Sequence, residues 1–347
     1  MAKNQMAPMR ISLQHPPHVD PTKATLAYGK LAVKRLNREL KDEDLLTRQR
    51  AVKALCDYLH DPEHIAEAVN EGVICSLNML LKDPDVSCRA YATECFVICC
   101  QHSIGRIAVL NHNIMESFKP LINYSQPDIV RLNTHKAIEL LTVDPLGAKA
   151  TVGSRYIDLL IKCAEKEVEE IKIVILDTLN HCLSFNTDEG LESGGIPLFT
   201  RLLSHPTSEV RSRAAENISR LCVNSRGKQE ALDNETIPAL VSLLNDKSEN
   251  VRASSAGALG FICTTNHGRY TTLNSGAIPL LLSLVDDKNS RVRLNVLKVI
   301  TCLSETPEGR RILKDHLHDK ISPHENDINA AVAKHAKIAV SVITWKP

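Results

Sequence analysis

The chain has no strong charge of either sign. Its 347 residues carry 42 Lys and Arg against 41 Asp and Glu, a formal net charge of +1, where a nucleic-acid-binding chain normally shows a basic excess. No run of eighteen apolar residues is present to span a bilayer, and the N-terminus has no continuous apolar stretch of the secretory type. Also missing are a phosphate-binding loop, a Gly-rich dinucleotide turn after a strand, an H-E-x-x-H and a pair of C-x-x-C motifs. These absences predict a soluble, intracellular, non-enzymatic chain: no cofactor, no metal, no nucleic acid, no membrane and no small-molecule substrate. The eleven cysteines are odd in number. In a reducing compartment they read as thiols serving as small hydrophobes, as at Cys222 and Cys263.

What is present is a repeat. Ile196-Pro197-x-Phe199-x-x-Leu202-Leu203 returns as Ile237-Pro238-x-Leu240-x-x-Leu243-Leu244 and as Ile278-Pro279-x-Leu281-x-x-Leu284-Val285, a spacing of 41 residues. The apolar positions fall on one helical face, and Pro suits a first turn whose N–H has no acceptor, so each copy opens an entry helix. A long helix follows, carrying Val210-Arg211, Val251-Arg252 or Val292-Arg293, with Thr207, Ser248 and Asn289 placed to cap it. Gly227-Lys228, Gly268-Arg269 and Gly309-Arg310 then mark a sharp turn into a short helix. A period of about 40–47 residues with two or three helices is the armadillo/HEAT signature. The short helix and the Ile-Pro opening favour armadillo.

Carrying the anchor cation backward gives Arg48, Arg89, Arg131, Lys172, Arg211, Arg252 and Arg293, with steps of 41, 42, 41, 39, 41 and 41. Seven residues beyond each lies an apolar residue: Leu55, Phe96, Ile138, Leu179, Ile218, Leu259 and Ile300. The expected fold is therefore all-α: a right-handed armadillo-repeat solenoid of about seven repeats with a C-terminal capping helix. Its predicted parts are a flexible Pro-rich tail over 1–22, repeats over 23–307 and a degenerate capping repeat over 308–347. Asp44 and Asp85 are further predicted caps. Pro120 predicts a shortened or kinked helix in the third repeat, and Glu165 to Glu170 read as a solvated helix start. The last helix is predicted to pack on Ala331, His335, Ile338 and Val342, with Trp345 beside it.

Candidate chemistry is sparse. Cys95, Cys99, Cys100 and His102, near Cys88, have thiols at i and i+4, but Cys99 and Cys100 align with the core positions Leu221 and Cys222. His60, His102, His205 and His267 fall in turns. Solenoids bind along the long helices. Armadillo importins display a Trp and, four residues on, an Asn in that groove. The corresponding residues here are Lys53, Glu94, Lys136, Asp177, Glu216, Gly257 and Lys298, then Asp57, Ile98, Leu140, His181, Arg220, Phe261 and Cys302. No repeat keeps the pair, which excludes the nuclear-import pattern. Lys53, Asp57, Glu94, Lys136, Asp177, His181, Glu216, Arg220 and Lys298 instead form a mixed-charge row suited to a partner of complementary charge.

Whole segments are similar to one armadillo family, the radial spoke head 14 homologs of motile cilia and flagella. They are Ala27-Tyr28-Gly29 with Lys34, Thr47 to Ala51, Ala54 to Asp57, His60 to Glu63, His102 to Arg106, Ile175 to Leu179, Ala256 to Leu259, Pro307 to Arg310 and Ile338 through Lys346-Pro347. The pieces around Tyr28, Asp61-Pro62 and Lys346-Pro347 stand outside the repeat consensus. The resemblance implies a non-catalytic scaffold subunit of the radial spoke, binding other spoke subunits in the cytoskeleton of the ciliary and flagellar axoneme. The alternative is a soluble cytosolic adaptor that recruits clients to a ligase or chaperone.

Overall fold

A computed structural model describes residues 31–345; the predicted tail, Tyr28 and Lys346-Pro347 lie outside the described residues. Among the described residues there are helices and turns and no strand. The fold is an all-α repeat solenoid in which each repeat runs entry helix, long helix, short helix. The chain divides into two compact units, one ending at Ser154 and one beginning at Arg155.

In the first unit the long helices are Leu45–Tyr58, Val86–Gln101 and Asp128–Thr142. Ala32–Glu39 and Val73–Leu80 are its regular entry helices, and Pro62–Asn70, Ser103–Asn111 and Pro145–Gly153 its short ones. The third repeat deviates as Pro120 requires: its entry helix stops after five residues, Ile114–Phe118, and continues as the tighter turn Lys119–Ile122. In the second unit the long helices are Glu169–Leu183, Ser208–Leu221, Glu249–Ile262 and Ser290–Leu303. The chain's last helix is Ala330–Thr344. The seven apolar residues from Leu55 to Ile300 have no exposed surface. Burying one such side chain contributes about 1.5–3 kcal/mol, which is why the period is kept.

The junctions depart from expectation in informative ways. Asp44, Asp85 and Asn289 accept main-chain N–H bonds from Thr47, Cys88 and Arg291, but Thr207 and Ser248 occupy the N-cap position with no side-chain cap bond. The Gly-basic pairs are not turns. Gly227, Gly268 and Gly309 lie in the first turn of the short helices, and a Cβ there would come within 2.1–2.3 Å of the carbonyl oxygens of Leu221, Ile262 and Leu303. Glycine is needed there because the end of the long helix presses on it. The following arginine then binds that end: Arg269 and Arg310 donate from Nε to the Cys263 and Ser304 carbonyls, each at 3.0 Å. The sharp turn comes one helix later, where Gly72, Asn113, Arg155, Gly194, Glu235 and Gly276 all have φ between 53° and 78°. Glycine reaches that left-handed conformation without strain, whereas Arg155 and Glu235 do so at a cost.

The anchor arginines tie repeat to repeat. Arg211 donates from Nη1 to the His205 and Pro206 carbonyls of its own repeat and from Nε to Asp246 Oδ2 of the next, at 2.9 Å. Arg252 does the same with Asp287 at 2.9 Å, and Arg293 with Asp327 at 2.8 Å. Each aspartate also accepts an N–H from two residues on, at Ser248, Asn289 and Asn329. These carboxylates are 5–8% exposed, so the arginine supplies charge that water does not. In the first unit Arg48 pairs with Asp83 in the same way at 2.8 Å. Its next anchor, Arg89, meets the neutral Gln126 at 3.2 Å.

Expectations for the last helix and Trp345, the charged run and Asp61-Pro62 are corrected. The last helix buries Val332, Ala336, Ala339 and Ile343; Ala331 and Ile338 are exposed, and His335 and Val342 are half-buried. The spacing from cap Asn289 to cap Asn329 is 40 residues, which puts Ala333 at the anchor position and ends the arginine ladder. Trp345 is exposed, with the Arg310 guanidinium 5.3 Å from its ring centroid. In the charged run Glu167 is buried, while Glu165 pairs with Arg201 at 2.8 Å and the helix starts at Glu169. Finally, Asp61-Pro62 belongs to the repeat: Asp61 caps a short helix that Pro62 opens, as Asp144 and Pro145 do later.

Candidate protein-binding groove

Counting from the anchor cation, the residues five and nine positions on leave the core, because four residues is about one helical turn. In both rows every side chain except Ile98 reaches solvent. In the first unit Asp57 and Glu94 are exposed, and Lys53 and Lys136 are half-buried. In the second, Asp177, His181 and Glu216 are half-buried, and Arg220, Phe261 and Lys298 are exposed. Asparagines hold successive long helices in register, as Asn217 does with the Leu176 carbonyl at 2.9 Å and Asn295 with the Ala253 carbonyl at 2.8 Å.

The acids of the second unit are already paired, by arginines that the two rows do not include. Arg213 donates to Asp177 at 2.7 Å. Arg291 donates to Glu216 at 2.6 Å across an entire repeat, where Gly257 offers no side chain, and Ser254 donates to the same carboxylate at 3.1 Å. A cavity of about 360 Å³ opens there, lined by Asn180, Ser219, Arg220, Phe261 and Asn295 among others. Arg220 donates to Asn180 Oδ1 at 3.3 Å. Burial pulls the His181 imidazole below its ordinary value, with the Arg220 charge assisting and Asp177 opposing. Periodicity identifies the rows. It does not identify Arg213 and Arg291, whose partners lie 36 and 75 residues away.

The thiol cluster is core. Cys88, Cys95, Cys99 and Cys100 have no exposed surface, and burial pushes Cys88 and Cys99 up to about 12. Such thiols stay protonated and unreactive. The functional-looking histidine that spacing passes over is His135. It is fully buried, its two ring nitrogens have no hydrogen-bond partner among the described residues, and burial followed by the Arg131 charge takes it down to about 3.

Comparison with known proteins gives the same class. The family model for HEAT repeats matches residues 196–270. A solved engineered protein is similar over 90% of this chain and 88% of its own, at 17% identity and a TM-score of 0.66. A designed armadillo repeat protein in complex with the peptide (KR)4 is similar over 65% of this chain and 98% of its own, at 18% identity and a TM-score of 0.59. The fold is thus of the armadillo/HEAT type, and three helices per repeat is its armadillo form. Among the described residues no helix is long and apolar enough to cross a membrane.

Proposed function

We propose that this chain is a non-catalytic scaffold subunit of the ciliary and flagellar radial spoke, holding other spoke proteins and supporting axonemal motility. The observation that carries the binding part is the pair of outward rows on rigidly stacked long helices. Their side chains vary from repeat to repeat while the buried frame beneath them repeats. The spoke assignment draws on the resemblance of segments such as Thr47 to Asp57 and His102 to Arg106. The mechanism is steric and adhesive: stacked repeats present charged and apolar groups at fixed spacing, so a partner binds without paying to order the surface.

The test is extraction of motile cilia with mild detergent, followed by quantitative immunoblotting of wild-type and spokeless axonemes. Retention on the microtubules that is lost when spokes are absent is the expected result. Release into the soluble fraction would overturn the spoke assignment and favour a cytosolic adaptor. A groove role further expects Lys136→Glu with Glu216→Lys to weaken partner binding while helical content is kept.

A further inference from the structure

We propose that the long-helix groove of the unit beginning at Arg155 takes an extended, acidic partner segment. Arg220, Lys298 and Lys334 receive its carboxylates, and Val223 and Phe261 receive its apolar side chains. This assignment rests on the protein-binding reading above and gives it a polarity. The two acids on the rows, Asp177 and Glu216, are neutralised by Arg213 and Arg291. Arg220, Lys298 and Lys334 are exposed, and none meets a carboxylate among the described residues. Five cations therefore stand over two carboxylates, on a chain whose overall charge is near zero.

Two further observations agree. Lys334 follows Lys298 onto the last helix, whose outward face of Ala331, His335, Ile338 and Val342 continues the groove rows. His335 is taken below its ordinary value by burial and then by the charges of Lys298 and Lys334, which both lie near its ring. Val223 and Phe261 are 60% and 43% exposed and line the same cavity as Arg220 and Arg291. The acids Glu209 and Glu249 lie in the first turns of their helices, a full helix length from Arg220 and Phe261. Negative charge is favoured there by the helix dipole.

The probe is a fluorescein-labelled twelve-residue peptide of repeating Glu-Leu-Asp-Phe, titrated with the full chain and followed by anisotropy. The peptide (KR)4 and an uncharged Ser-Leu-Gly-Phe peptide serve as controls. Saturable binding of the acidic peptide alone is expected, weakening as salt rises because exposed charges are screened. Arg220→Glu with Lys298→Glu and Lys334→Glu should weaken it by at least about ten-fold, with the melting transition kept. The milder triple change to Gln guards against misfolding and should give a smaller loss in the same direction. Tighter binding of (KR)4, equal binding of the uncharged peptide, or acidic binding indifferent to both triple variants would overturn the polarity. If spoke-dependent retention in cilia persists while the acidic peptide does not bind, this assignment fails and the scaffold reading stands. Acidic binding without retention supports the groove and removes the spoke.

Discussion

The unit beginning at Arg155 joins its later repeats by three near-identical buried pairs, Arg211–Asp246, Arg252–Asp287 and Arg293–Asp327. The unit ending at Ser154 holds the pair Arg48–Asp83, followed by the neutral Arg89–Gln126 contact and an entry helix broken at Pro120. Both units bury the same apolar frame, so what differs is the polar fastening between repeats. Regular apolar spacing is enough to stack helices. A charged ladder adds directional register, and the first unit keeps its stack at a step where Gln126 stands in place of an aspartate.

Core packing should not distinguish the units. Phe96→Ala in the first is expected to cost about 3–5 kcal/mol and Leu259→Ala in the second about 2–5 kcal/mol, read by denaturant unfolding. A much smaller cost at Phe96 would show that the first unit is loosely packed, and the comparison would then concern the core. The ladder should distinguish them. Arg252→Ala leaves Asp287 buried without its cation, at about 3–5 kcal/mol, whereas Arg89→Ala loses bonds to the Gln126 amide and the Asp83 and Pro84 carbonyls but strands no buried carboxylate, about 1.5–3 kcal/mol. Equal losses would break the contrast.

Acid should separate the units by order of failure. His135 is held neutral down to about 3 by its burial, while an unfolded imidazole titrates near 6.5. Between those values the unfolded chain binds the extra proton, so the stability of the first unit declines as pH falls below about 6.5. The decline should reach at most about 3 kcal/mol by pH 4. Asp327 acts in the same direction over a lower window: the hydrogen bond from Arg293 holds it at about 2 against an ordinary 3.8. Its stabilisation is intact above the ordinary value and is lost as pH falls through 2. Hydrogen exchange from pH 7.5 to 3 should therefore show helix Asp128–Thr142 opening before Ser290–Leu303, and His135→Leu should abolish the earlier event. Simultaneous opening would refute this. The smallest effect is expected on the surface, where Lys53→Ala should change the melting free energy by less than about 0.5 kcal/mol.

The repeat positions were legible because burial recurs with the helical period: every residue from Leu55 to Ile300 at the seventh place is covered. The caps were half-legible, since Asp44, Asp85 and Asn289 bond as their type suggests and Thr207 and Ser248 do not. A hydroxyl at the right place has to turn toward the N–H, and local packing decides whether it does. The face of the last helix was misassigned because Ala331, His335, Ile338 and Val342 have the same spacing as its buried face, one residue out of phase. An alanine-rich helix has apolar candidates on both sides.

By itself the sequence determined the all-α class, the period, the anchor cations and the core column, because each depends on local geometry repeated at fixed spacing. Only the tertiary structure decided that the recurrent glycines answer to a carbonyl from the preceding helix rather than to a turn. It likewise decided that the ladder ends at Ala333, and that Asp177 and Glu216 are spent on Arg213 and Arg291. The two acid pairings depend on which atoms meet across repeats, 36 and 75 residues apart. Spacing along the chain names the residues that face outward, but the charge a partner meets is what remains after neighbouring repeats have paired.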